Sequence, residues 1–273
     1  MKMKINGIPL HDLHLHTGLS MCSRDKDACP ETYAPIAAKN GVELIGISDH
    51  IWDIRIKLPM DIDFTSNCFE HQLQHFNDCA RVQHGVKILY SAEVEYFCGM
   101  LGIHESSAAL LDYVLVAPCH FHAGPRALPE EYKNHEGVAY YLTKTFDEVC
   151  ENPLTQAVAH PFDPMIFSYG DDLRKIYELV GWDRFAQSLQ KCKDNNISFE
   201  INFSLSAARG TPLFDETYLK LFKLAKEIGC KFHFGTDAHS RLAFDELTQP
   251  EVYRYYINAL DLQPSDMSEI VFS

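Results

Sequence analysis

The sequence predicts an α/β protein in which parallel strands form a closed or nearly closed barrel inside a layer of helices. Three observations predict it. Seven short segments rich in β-branched and aromatic residues alternate with stretches of helical spacing, the pattern of repeated strand–helix units. Seven such units suit a barrel better than an open sheet. The third observation is chemical: histidines and acids gather at the ends of nearly all these segments.

Taken in order, strands are expected over residues 10–16, 43–48, 86–92, 113–117, 156–160, 198–202 and 231–235. Helices are expected between them, over 31–39, 69–84, 131–150, 182–195 and 217–228. The last of these has helical apolar spacing and ends on a stop signal, Gly229. No repeat, low-complexity segment or linker interrupts residues 1–273, so a single domain is expected.

Composition narrows the function. A chain of 273 residues can bury a sizeable core, and 46% hydrophobic with 23% charged residues excludes intrinsic disorder. Twenty-four basic against 38 acidic residues leave a net charge of -14 with histidines neutral. Such a surface repels nucleic-acid phosphates and anionic membranes, so a long nucleic acid is a disfavoured partner. Nine scattered cysteines without a CxxC pair argue against a disulfide framework and for a reducing, cytoplasmic setting. The start, Met1-Lys2-Met3-Lys4-Ile5-Asn6-Gly7, lacks the apolar core of a secretory signal. No run approaches the roughly 18 apolar residues of a membrane span, so no membrane partner is expected.

The segment ends carry the chemistry. They read Asp12-Leu13-His14-Leu15-His16, Ser48-Asp49-His50, Glu93-Val94-Glu95, His120-Phe121-His122, His160-Pro161 and Thr236-Asp237-Ala238-His239. Phe199-Glu200-Ile201-Asn202, on the sixth segment, ends without a histidine. In a barrel of parallel strands these ends meet at one mouth, where active sites are built. His-x-His on a strand puts both rings on one face, because the strand period is two, and Asp237 with His239 repeats the spacing. Neutral imidazoles with a few carboxylates suit zinc, manganese or iron and suit calcium poorly. One ion takes three or four protein ligands, so about eight candidates are enough for two or three ions, with Glu93 as a bridge. Any one of these histidines alone is more often a core or surface residue than a ligand. The ordered set argues against accident.

Together, Asp12-Leu13-His14-Leu15-His16-Thr17, Gly46-Ile47-Ser48-Asp49-His50, Ala92-Glu93-Val94-Glu95, His120, Ala159-His160-Pro161 and Gly235-Thr236-Asp237-Ala238-His239 resemble the PHP superfamily, named for its polymerase and histidinol phosphatase members. The resemblance implies a distorted seven-stranded (β/α) barrel with a centre of two or three divalent transition-metal ions at its mouth. It implies a first ion on His14, His16, Glu93 and Asp237, a second on His50 and His239, and a third on His120 and His160 with Glu93 bridging. Where many members carry a further histidine for the second ion, this chain has Cys22. Two readings of Cys22 stand at this point: a thiolate ligand, or a small buried apolar residue with water at that position. The sixth segment, Phe199-Glu200-Ile201-Asn202-Phe203-Ser204 with Arg209 downstream, resembles the histidinol-phosphatase-like branch.

The function so implied is metal-dependent hydrolysis of a small phosphorylated metabolite, with L-histidinol phosphate the first candidate. Bound ions would lower the pKa of a water towards about 7 for attack on phosphorus. Arg209 would clamp the phosphate and His122 would protonate the leaving group. Two alternatives remain: a phosphodiesterase or exonuclease acting on nucleotides or short nucleic acid, and a non-catalytic, metal-stabilised binding domain. His71 and His75, four apart, read as a solvated helix face; His11 is expected to point away from His14, on the opposite strand face; and His104, His135 and His233 have no assigned partner.

Overall fold

The computed structural model describes residues 3–57, 79–121, 127–165, 171–204 and 212–273. A short antiparallel ribbon, β1 (Lys4–Ile5) and β2 (Ile8–Pro9), precedes the first long strand. Each expected strand segment contains an observed one: β3 (His11–Leu15), β4 (Leu44–Ile47), β7 (Val86–Tyr90), β10 (Leu115–Ala117), β11 (Ala157–Val158), β12 (Ser198–Asn202) and β13 (Lys231–Gly235). Between them fall β5 (His50–Ile51), β6 (Val82–Gln83), β8 (Glu93–Phe97) and β9 (Met100–Leu101).

The strands form two sheets. One runs β3-β4-β7-β6, the other β13-β12-β11-β10-β8-β5 with β9 paired to β8. All neighbours are parallel except the β6–β7 and β8–β9 hairpins. The chain links the sheets twice, because β4 leads into β5 through Ser48-Asp49 and β7 into β8 through Ser91-Ala92. Ser91 N–H donates to the Ile47 carbonyl at 2.8 Å across this break.

On the opposite side the closure expected of a barrel is not a continuous ladder. Beyond the strand ends, β3 and β13 meet in a single parallel bridge, Leu15 to Ala238. The physical cause is a register shift in β3 between Asp12 and Leu15, together with left-handed backbone at Asp237 (φ 52°). Side chains of β3 take over where carbonyls would stand. His11 Nε2 accepts from the Phe234 amide at 3.0 Å, and the Asp12 carboxylate accepts from the Thr236 amide at 3.0 Å and its hydroxyl at 2.5 Å.

The described helices are α1 (Pro30–Asn40), α2 (Glu105–Ala108), α3 (His135–Cys150), α4 (Asp171–Val180), α5 (Trp182–Asp194), α6 (Pro212–Ile228), α7 (Arg241–Leu247) and α8 (Pro250–Ala259). Local chemistry sets their ends. Pro30 opens α1 and Gly41, with φ 80°, closes it; Asn134 Oδ1 caps α3 by accepting from the Gly137 amide at 2.8 Å. The helix expected over 69–84 is corrected at its C-terminal end. Val82–Gln83 is a strand, and His84 and Gly85, at φ 51° and 79°, turn the chain back into β7. Residues 69–78 of that expectation, with His71 and His75, lie outside the described residues.

Core residues fill both faces of the parallel strands. Phe146 of α3 lies 4.2 Å from Phe162 between ring centroids, and Phe162 also contacts Phe185 of α5 and Phe199 of β12. Among the described residues there is no disulfide, and no helix is long and apolar enough to cross a membrane.

Candidate metal centre

Glu93, the fully buried first residue of β8, lies among five imidazoles. Its Oε1 is 2.7 Å from His160 Nε2 and 3.3 Å from His120 Nε2. Its Oε2 is 3.0 Å from His50 Nδ1, 3.3 Å from His16 Nε2 and 3.4 Å from His14 Nε2. Asp237 approaches the same pair from beyond β13, with Oδ1 3.1 Å from His16 Nε2 and 3.5 Å from His14 Nε2.

The outward nitrogens decide what the inner ones offer. His14 Nδ1 faces Glu200 Oε1 at 2.8 Å, His120 Nδ1 faces Glu95 Oε2 at 2.7 Å, and His239 Nδ1 faces the Asp237 carbonyl at 2.8 Å. Ionised carboxylates and carbonyls only accept, so each of these nitrogens carries the proton. His16 Nδ1 lies 3.1 Å from Ser20 Oγ, whose single hydrogen goes to Asp49 Oδ1 at 2.5 Å, so His16 also donates outward. Four rings are thereby set with the Nε2 lone pair available on the other side.

Two contacts test whether ions fit. Nε2 of His14 and His16 stand 3.1 Å apart, as do those of His120 and His160. The outward hydrogen bonds of His14 and His16 leave lone pairs on both Nε2 atoms of that pair; lone pairs facing at that distance repel, and a shared cation removes the repulsion. Glu93 Oε2 is also buried without a hydrogen-bond partner, so it too calls for a positive neighbour. Nitrogen, carboxylate and thiol donors of this kind suit zinc-like ions.

Electrostatics agree. Burial opposes charge on His14, but the carboxylates of Glu200, Glu93 and Asp237 outweigh it and hold its pKa well above the ordinary value. His16 is raised to about 9 against burial, by Asp237 and Glu93. Burial pushes Glu93 up, yet His14, His50 and His120 bring it well below the carboxylate range, and His120 and His50 hold Glu95 at about 2. The centre is an acidic cluster that takes up positive charge, as protons or as cations.

The structure brings all nine expected ligand positions together in overlapping groups: His14, His16, Glu93 and Asp237; Glu93, His120 and His160; His16, Cys22, His50 and His239. Within each group the donor atoms lie no more than 4.8 Å apart. Cys22 is exposed; desolvation raises its thiol pKa, and hydrogen bonds to His239 and His50 outweigh this and hold it at about 6. His122 and Arg209 lie outside the described residues. Sequence reasoning gave no role to Glu95, which forms a fourth group with His50 and His120. Its signal was available, because Glu95 is two residues from Glu93 on one strand and so shares its face. The Asp237–His239 spacing arises from a left-handed turn after β13 rather than from strand alternation.

Four further histidines have structural roles. His11 Nδ1 donates to the Pro9 carbonyl at 2.9 Å, His104 caps α2, His135 pairs with Asp172 at 2.8 Å, and His233 Nδ1 contacts Ser198 Oγ at 2.7 Å.

No protein-family model and no curated protein matches the sequence. Solved structures do match the fold. A histidinol phosphate phosphatase, HisK, from Lactococcus lactis subsp. lactis, in complex with zinc, L-histidinol and phosphate, superposes with a TM-score of 0.58 at 17% identity. The match covers 93% of this chain and 94% of that one. A protein assigned as the histidinol phosphatase HisK of Listeria monocytogenes gives a TM-score of 0.62 at 17% identity, over 85% of this chain and 96% of that one. The chain therefore has an α/β fold with parallel sheet and helices, similar to that of the histidinol phosphate phosphatase structures.

Proposed function

We propose that the chain is a metal-dependent phosphomonoester hydrolase acting on a small phosphorylated metabolite, with L-histidinol phosphate the first substrate to test. The observation that carries this reading is Glu93, on β8 between β5 and β10, in the middle of five imidazoles whose spacing suits cations. The likeness to a phosphatase that binds zinc, L-histidinol and phosphate supports the substrate class. Residues 1–273 would work as one domain, on a frame read as a distorted seven-stranded barrel.

In this reading His14, His16, Glu93 and Asp237 hold one ion, and His120 and His160 hold another with Glu93 between them. His50, His239 and Cys22 hold a third, so the ligand reading of Cys22 is preferred over the apolar one. Zinc, manganese or iron bound there would neutralise phosphoryl oxygens and supply a nucleophile from water at neutral pH. The protein's own part is to fix those positions and to keep the inner Nε2 atoms unprotonated through outward hydrogen bonds. The charge of bound cations would also let an anion approach a chain of net charge -14. Arg209 as phosphate clamp and His122 as leaving-group acid rest on the sequence alone. Arg209→Ala is expected to raise KM roughly 10- to 100-fold, as loss of a charge-assisted clamp does.

The deciding experiment is phosphate release from L-histidinol phosphate by zinc-loaded protein, with His160→Ala as control. Turnover that vanishes in the variant supports the reading. Full activity and full metal content in His160→Ala would sink the ligand assignment, and no phosphate release by zinc-loaded wild type would discard the substrate. For Cys22, cobalt-substituted wild type should show a near-ultraviolet sulfur-to-cobalt charge-transfer band that Cys22→Ser lacks. Identical spectra would exclude the thiolate.

A further inference from the structure

The sixth strand of the expected barrel, β12, brings no histidine to the centre, yet it carries a fully buried carboxylate, Glu200. A buried carboxylate is costly unless several donors reach it, and here three do. Glu200 Oε1 accepts from His14 Nδ1 at 2.8 Å; Oε2 accepts from the backbone amide of His160 and from Asn202 Nδ2, the latter at 3.0 Å. The space for this carboxylate exists because residue 235, on the adjacent strand β13, is glycine. A Cβ there would fall 2.0 Å from Glu200 Oε1. His160, whose amide is held, has left-handed backbone at φ 27°, a conformation that costs a non-glycine residue energy and persists only when fixed from outside.

From this geometry we infer that Glu200 is the positioning residue that ties two ion positions together. One oxygen fixes the ring and tautomer of His14; the other fixes the strained backbone that presents His160. The inference deepens the proposed metal centre and rests on it. Glu200 itself touches no proposed ion ligand atom: it meets His14 on the outward nitrogen and His160 on the main chain.

The chemistry singles out one substitution. Glu200→Gln keeps the shape but has one acceptor oxygen where two are needed. With the amide oxygen towards His160, the –NH2 faces His14 Nδ1 and drives the ring proton to Nε2, where it blocks coordination. With the oxygen towards His14, the –NH2 opposes the His160 amide and displaces that backbone. Either orientation costs an ion.

The test measures zinc stoichiometry and affinity of the full chain by equilibrium dialysis, alongside melting of the metal-free protein. Glu200→Gln should weaken zinc binding 10- to 100-fold, the range for loss of a carboxylate behind a metal-bound histidine. The metal-free protein should keep its near-ultraviolet circular dichroism. Asn202→Ala, which leaves the carboxylate but removes one donor, should weaken zinc in the same direction by less and guards against a variant that does not fold. A purely structural role would lower metal-free melting and leave zinc affinity unchanged; that result overturns the inference. Wild type that binds zinc but hydrolyses no phosphoester would discard the proposed function while leaving this inference standing. Wild type that takes up no zinc would overturn both.

Discussion

Replacing Glu93 by glutamine would leave five imidazoles around a neutral amide and remove the only carboxylate common to two of the proposed ion positions. Glu93→Gln should therefore lose more metal than any single histidine variant and lower activity by at least about 100-fold. Metal analysis of the purified variant checks it, and a full complement of ions would contradict it. His233 makes a different prediction. Burial holds this imidazole neutral, with a pKa lowered to about 4, against the pull of Glu200. The unfolded chain takes up the proton below about 6.5, so folded-state stability is lost as pH falls from that value towards 4. His233→Leu, which cannot titrate, should gain about 2–3 kcal/mol relative to wild type between pH 7 and 4.5 in metal-free urea unfolding. A pH-independent gap would refute it. At this scale the inner donors were legible, because histidines and acids at strand ends stand out in order. The outer partners were not. Ser20 reaches His16 within one turn of chain, but Glu200 reaches His14 across 186 residues, and no local pattern marks such a pair.

Among elements, the long strands and the helices α1, α3, α5 and α6 were legible from spacing and stop residues. Strands β5 and β8 were not, for a physical reason. His50 and the Glu93–Glu95 pair look like polar terminators, whereas they are strand residues whose charge is met by one another. The true ends lie a few residues on, at the hairpin of β8 with β9, where Cys98 and Gly99 take left-handed backbone. Helix 69–84 failed at its C-terminal end because its apolar spacing continued into residues that the His84-Gly85 turn diverts into a strand. Helix ends also give a test of local energetics. Asn134→Ala removes the cap of the 16-residue helix α3 and should cost about 1 kcal/mol in denaturant unfolding. Zinc stoichiometry should stay the same, since the cap touches no metal donor, and a lost ion would show that α3 sets the centre.

For the whole molecule, the buried acids and imidazoles make folding and ion uptake one equilibrium. Zinc held at about 1,000 times its Kd should add on the order of 4 kcal/mol to the unfolding free energy. Calorimetry before and after chelation checks this, and an unchanged Tm would show that the cluster binds nothing of consequence. The net charge of -14 and the parallel α/β frame were both foreseeable; the open seam between β3 and β13 was not, because side chains of His11 and Asp12 replace the ladder there. That seam also sets an order of events. It joins residues 224 positions apart, the kind of contact whose loop-closure entropy makes it late in folding. His14 and His16 stand on one side of it and Asp237 and His239 on the other. During synthesis the first two emerge long before their partners, so the ion positions that use Asp237 and His239 stay incomplete in a nascent chain until β13 has arrived.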